Sequence, residues 1–183
     1  MTHVGRLLVA TPVLTDPNFS RTVILLIAHA EDGAVGVVLN RASDVPLWGV
    51  LPEWTSLANE PQSVFTGGPV SPEAAICLAR LRPAAQPAGW SAIDGSRLGT
   101  ADLSGSPDLL GPHIERLRVF AGYAGWAAGQ LEAEIEQGAW FVLEAFPEDP
   151  FLEEPEVLWP MVLRRQGGMI AAVAHYPPDP SLN

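Results

Sequence analysis

The apolar positions of this chain fall into short runs punctuated by glycine, proline and aspartate, a spacing that favours strands and hairpins over long helices. Residues 5–10 (GRLLVA) predict a first strand, closed by Thr11-Pro12. Thr15-Asp16-Pro17-Asn18 is turn chemistry, because proline presets φ and the Asp and Asn side chains bond nearby backbone. Residues 21–29 (RTVILLIAH) are a nearly continuous apolar run, too short and too β-branched for a helix. Such a run suits a strand buried on both faces. Glu31-Asp32-Gly33 supplies a tight turn, and residues 34–40 (AVGVVLN) return as the hairpin partner.

Further along, residues 46–51 predict one or two helical turns with Leu47, Val50 and Leu51 facing inward. Residues 62–66 (QSVFT) predict a strand stopped by Gly67-Gly68-Pro69. Residues 74–81 predict another, in which Ile76, Leu78, Arg80 and Arg82 share one face. A loop and a second hairpin about Asp94-Gly95 are expected over 83–100, then a short helix over 102–114, broken near Gly111-Pro112. Residues 116–121 (RLRVFA) alternate as a strand and meet Gly122. The clearest helical stripe is Ala128, Leu131 and Ile135, which predicts a helix over 127–137 with Gly138 beyond its end. A strand over 139–145 and a helix over 159–165 follow, the latter with Pro160 in its first turn and Gly167-Gly168 after it. Hairpins outnumber βαβ units, so the fold class is α+β: one domain over residues 1–176 and a flexible Pro-rich tail over 177–183.

Composition narrows this picture. The 183 residues are 48% hydrophobic and 17% charged, too apolar for disorder and long enough for one buried core. The single Cys77 excludes an internal disulfide and a cysteine-based zinc site, and fits a reducing cytoplasm. No apolar run approaches the roughly 18 residues of a membrane span, and the N-terminus lacks a signal-peptide pattern. These features predict a cytoplasmic protein with no membrane association.

The net charge of −11 is unevenly placed. All ten basic residues are arginine, and none lies between Arg118 and Arg164, where nine acids fall. The rest of the chain is nearly balanced. The acidic segment 132–156 is thus a possible docking surface for a basic partner, although a Glu-rich helix face is more often simply solvated. With no Lys/Arg cluster, a strong phosphate-neutralising footprint on nucleic acid is not expected, which leaves room for a few arginine contacts from Arg80 with Arg82 and Arg116 with Arg118.

Four phrases, in order, carry a resemblance: GRLLVATPVLTDPNFSRTVILL (5–26), GAVGVVLNR (33–41), FTGGPV (65–70) and GYAGWAAGQLEAEIEQGAW (122–140), with Trp159 ahead of a last helix. The chain resembles the YqgE/AlgH family of bacterial proteins over nearly its whole length. The resemblance implies a mostly antiparallel, bifurcated sheet that curls into a pseudo-barrel with a few flanking helices. Some members are described as regulators of transcription, and the resemblance implies no particular reaction. One departure stands out: where the family pattern continues Gly-Pro-Gly-Gln, this chain has Ala127-Ala128-Gly129-Gln130, which weakens an argument from close backbone approach at 127 and 128.

No G-x-S-x-G elbow, P-loop, G-x-G-x-x-G or H-E-x-x-H is present, so no catalytic residues are assigned. His3, His29, His113 and His175 show no ligand spacing, so neither a metal nor a cofactor is expected; His29 at a strand end reads as a hydrogen-bonded structural residue. Cys77 between Ile76 and Leu78 reads as a small buried hydrophobe. Gly67 and Gly68 are a candidate anion nest, against the simpler reading of a sharp turn. Gly122, Tyr123, Gly125 and Trp126, read as a strand-to-helix turn, are the leading ligand-binding candidates, with Gln130 one turn into the helix. Asn40 and Arg41 end the hairpin strand; with Asp16 and Arg21 they serve either as an anion clamp and base or as loop ties.

The favoured function is a non-enzymatic binding protein for a small ligand or a protein partner, with a regulatory role. A hydrolase acting on a phosphate-containing small molecule is the alternative, and it requires Arg21, Arg41, Gly68 and Trp126 on one face. Direct DNA binding ranks third, for want of a helix-turn-helix phrase.

Overall fold

A computed structural model describes residues 2–178. Its frame is a sheet of ten strands: β1 (Arg6–Ala10), β2 (Val23–Ala30), β3 (Gly33–Val38), β4 (Ala42–Pro46), β5 (Ser63–Thr66), β6 (Val70–Leu81), β7 (Trp90–Ala92), β8 (Leu98–Ala101), β9 (Ile114–Ala127) and β10 (Trp140–Glu144). The main path runs β10-β1-β2-β3-β9-β6-β8-β7, with β4 on β5 and β5 on β9. All pairings are antiparallel except β5 with β9. Four short helices accompany it: α1 (Pro107–Leu110), α2 (Gln130–Glu136), α3 (Leu158–Arg164) and α4 (Gly168–Val173).

The sheet divides along β9. Residues 114–123 of β9 pair with β6, while on its other edge Phe120 and Ala121 pair with β5 and Ala124–Ala127 pair with β3. Gly122 sits at the change of partner with φ +73°, a conformation that favours glycine. The sheet then curls until its two ends meet: a Cβ on Gly5, just before β1, would lie 3.1 Å from Cβ of Asp94 in the β7–β8 turn. This is the curled, bifurcated α+β architecture expected from the resemblance.

Both faces of the first strands are buried, which explains their continuous apolar runs. Leu7, Val9, Val23 and Leu25 point into one core with Trp159, Val162 and Leu163 of α3. Leu8, Ala10, Ile24 and Leu26 point into a second, closed by Leu131 of α2, Trp126 and Trp140. A third core packs Leu47, Trp54 and Leu110 against Cys77, Ala79, Leu117 and Val119.

Several expectations change. The GYAGW phrase is not a strand-to-helix turn: β9 continues through it to Ala127, because its backbone ladder to β3 holds the strand past the glycines. The helix accordingly starts at Gln130, not 127, after Gly129 at φ +72°. Strand β4 was not foreseen, since an edge strand paired only with β5 needs no alternating apolar face. Strand β6 begins at Val70, and α4 follows Gly167-Gly168 where no helix was expected. Val50 faces outward at 54% exposed, while Leu47 is buried. Of the proposed tail, Pro177 and Pro178 lie in a cleft with Arg21 and Trp159, and residues 179–183 fall outside the described residues. Among the described residues, no helix is long and apolar enough to cross a membrane.

Candidate functional site

The two glycine phrases meet, but against each other. The Gly67 N–H donates to Ala121 O at 2.8 Å and Gly67 O accepts from Val38 N at 2.8 Å, so that N–H is already used in the sheet. A Cβ on Gly68 would enter the Tyr123 backbone, and one on Gly122 would lie 2.5 Å from Gly68 O. The glycines let two segments cross backbone to backbone. Asn40 stands beside this crossing as a tie: its Oδ1 accepts from Val23 N at 2.9 Å and its Nδ2 donates to Arg21 O at 2.9 Å. Arg41 donates to Asn18 O at 2.8 Å and Ser20 O at 3.1 Å, and shares only a recess of about 50 Å³ with Gly68.

The remaining candidates lie elsewhere. Trp126 is 6% exposed, and its Nε1 donates to Glu134 Oε2 at 2.9 Å. Trp140 Nε1 donates to the same oxygen at 2.8 Å, the two indoles meeting edge to face. Gln130 Nε2 donates to Glu134 Oε1 at 3.0 Å, while its Oε1 accepts from Ala127 N at 3.0 Å. Trp126 and Gln130 thus serve one carboxylate. Tyr123 and Gly125 occupy the opposite face of β9 from Trp126, by the alternation of the strand. Arg21 lies 4.1 Å over the Trp159 ring with Nη1 on Tyr176 O, in a separate cleft. Arg21, Arg41, Gly68 and Trp126 therefore share no single face, and the constellation required for the hydrolase is not assembled.

The other polar candidates are structural ties. His29 Nδ1 accepts from the His3 N–H at 3.1 Å, which leaves the proton on Nε2 to donate to Glu132 Oε1 at 2.7 Å. Arg118, nearly fully buried, donates to Pro150 O, Leu152 O and Glu60 O and covers the Phe65 ring; burial lowers its pKa to about 10. Asp149, 1% exposed, accepts both arms of Arg165 at 2.7 and 2.8 Å. Burial of Cys77 pushes its thiol up to about 12. Within the acidic segment, Glu132, Glu134 and Asp149 are thus engaged internally, while Glu136, Glu144, Glu148, Glu153, Glu154 and Glu156 are exposed. Among the described residues, no group of three or more His, Cys, Asp or Glu is placed to hold a metal ion.

A cleft of about 250 Å³ lies at the seam where the curled sheet meets itself. One wall is the β7–β8 turn, with Ile93, Asp94, Ser96 and Arg97; the other is Gly5 and the segment leaving β10, with Phe146 and Pro147. Asp94 and Gly95 both take left-handed φ, +49° and +65°, which gives the tight two-residue reversal. Ser96 Oγ closes that turn: it accepts from Leu98 N at 3.1 Å and donates to Ile93 O at 2.9 Å. Arg80, near the end of β6, also lines the cleft. Its Nε is 3.1 Å from Glu115 Oε2 but off the hydrogen-bond axis, and Arg97 Nη1 is 3.4 Å from the same oxygen while donating to Leu81 O at 2.9 Å. Phe146 is 41% exposed, with the Arg165 guanidinium 3.8 Å over its ring.

This cleft was missed because its residues come from four distant stretches, 5, 80, 93–98 and 145–147. The legible signals were the Asp94-Gly95 turn and the face carrying Arg80. Nothing in the sequence places that face beside Phe146.

Comparison with known proteins agrees with the fold. The chain is 52% identical to a UPF0301 protein of Streptomyces coelicolor, covering 98% of this chain and 94% of that one. It is 45% identical to a UPF0301 protein of Mycobacterium leprae, covering 99% and 91%. A crystal structure of a Corynebacterium diphtheriae protein superposes with a TM-score of 0.89 at 33% identity, covering 94% of this chain and 91% of that one. The solution structure of the AlgH protein from Pseudomonas aeruginosa matches with a TM-score of 0.69 at 30% identity, covering 94% and 93%. The AlgH-like family model spans residues 7–171, from the first strand through the last helices, and the chain belongs to that family.

Proposed function

We propose that this protein binds a small molecule, rather than transforming one, and that the seam cleft receives it. The observation that carries this reading is the cleft's position: it sits where the curled sheet comes back to itself, with apolar walls and two guanidiniums converging on one space. Mouths of curled and closed sheets are recurrent ligand sites, because strand ends there project side chains into a concavity. The one hydroxyl among its lining residues, that of Ser96, is spent on backbone partners that close the turn rather than on a general base, which supports binding over nucleophilic chemistry. A ligand in the seam would touch both ends of the sheet and favour the closed curl, the thermodynamic form a regulatory role requires. Cys77, a lone buried thiol, suits a cytoplasmic setting.

A fragment screen on the full chain, followed by amide chemical-shift mapping, tests the reading. Binders are expected to move the resonances of Ile93, Arg97 and Phe146. Binders that cluster in the Arg21–Trp159 cleft, or turnover of any fragment, would overturn it.

A further inference from the structure

The ligand of the seam cleft has a definable chemistry, and this step rests on the reading that the cleft is a binding site. Two guanidiniums, Arg80 and Arg97, share a single carboxylate, Glu115, at 3.1 and 3.4 Å. Neither contact is a bidentate fork of the kind an arginine and a carboxylate adopt when they are each other's intended partners. The Nε of Arg80 is buried without a hydrogen bond among the described residues, an unmet donor beside the cleft. In the sheet, Arg80 stands directly across from Arg116, and like charges in that position repel. The corner therefore brings Arg80 and Arg97 onto one carboxylate, with Arg116 across the ladder from Arg80. Glu115 and Asp94 balance the two guanidiniums in number, so what singles out the corner is geometry: one carboxylate is shared between two arginines, and the Arg80 Nε is left without a hydrogen bond.

Apart from Asp94 and Ser96 on the turn, the cleft's remaining lining is apolar. Ile93, Leu98 and the half-exposed ring of Phe146 form its walls, in a space of about 250 Å³ that suits a single ring with a short substituent. We propose that the seam cleft binds a small organic anion, a ring or compact apolar body bearing one carboxylate or phosphate group, with the anionic group on Arg80 and Arg97. Both groups present a pair of oxygens that matches the two-pronged guanidinium fork. Asp94 on the turn faces the same space and disfavours more highly charged ligands. Glu115 acts as the internal competitor, since a bound anion and its carboxylate draw on the same two guanidiniums.

Benzoate, phenyl phosphate and uncharged benzamide, titrated into the full chain and followed by amide and arginine Nε–H shifts, distinguish the outcomes. Benzoate or phenyl phosphate is expected to bind at least tenfold more tightly than benzamide, with the largest shifts at Arg80, Arg97 and Phe146. The better of the two anions identifies the carboxylate or the phosphate as the source. Arg97→Gln, a change at a half-exposed side chain, should weaken the anion about tenfold, and Glu115→Gln should tighten it several-fold by removing the competitor. Tightening separates a ligand site from a merely structural ion cluster, whose loss cannot improve binding. Equal binding of benzamide at the seam would overturn the anion inference and leave the binding reading intact. If no probe of either charge shifts these residues at millimolar concentration, both fall.

Discussion

Replacing Trp126 by alanine tests how the second core is held to α2. The indole is buried between Leu131 and Trp140, and its Nε1 is one of three donors on Glu134. Truncation removes the ring's burial and leaves a void, which costs about 3–5 kcal/mol for an aromatic in a packed core. At this chain length, that corresponds to a fall in Tm of roughly 10 °C. Trp126→Phe keeps an aromatic ring but loses the N–H donor and part of the indole's volume. Glu134 retains Trp140 and Gln130 and is half-buried, so water replaces the missing bond and the expected cost is only about 1–2 kcal/mol. Urea titration read by far-UV circular dichroism measures both variants; fluorescence is unsuitable with six tryptophans present. An unchanged midpoint for Trp126→Ala would refute the burial argument. Equal losses for the two variants would show that the hydrogen bond, not the ring, holds the helix.

Gly68→Ala should destabilise by roughly 3 kcal/mol or more, because the added methyl meets the Tyr123 backbone, whereas Gly129→Ala, with open space around it at φ +72°, should cost about 1–2 kcal/mol; similar melting points for the two would contradict the crossing. Cys77 should resist Ellman's reagent in the folded protein at pH 8 and react on unfolding. Because burial raises its folded pKa from 9.0 to about 12, the stability it contributes is fully present below about pH 9 and lost as pH rises to about 12. Cys77→Ala should flatten that alkaline decline, and an identical slope in both proteins would sink the assignment. Arg165→Met should cost about 3–5 kcal/mol by stranding the buried Asp149 carboxylate, and Arg165→Met with Asp149→Leu should recover part of it in a double-mutant cycle.

Local chemistry made much of this fold legible. The run at 21–29 and the Asp32-Gly33 reversal define the β2–β3 hairpin, and the stripe of Leu131 and Ile135 defines α2, because each depends on neighbours a few residues away. Phrase order along the whole chain carried the family and the curled, bifurcated sheet. The candidate site was another matter. Glycine permits both a turn and a close crossing of strands, and only the partner segment decides which. At Gly68 and Gly122 that partner is the other glycine phrase, more than fifty residues away. Trp126 looked equally suited to a ligand or a core until Glu134 and Trp140 arrived to occupy its edge and its N–H.

The sequence by itself determined most of the strands, the first hairpin, the family and the absence of any familiar catalytic motif, since these are properties of short segments and of their order. Tertiary structure alone decided which polar groups are spent and which are left over. Asn40, Arg41 and Gln130 are consumed by backbone or carboxylate partners that the curl delivers, while Arg80 and Arg97 are brought to a seam with one carboxylate between them. Charge balance at a site depends on distances in space, and a ten-stranded curl joins residue 5 to residue 94 without any trace in local pattern.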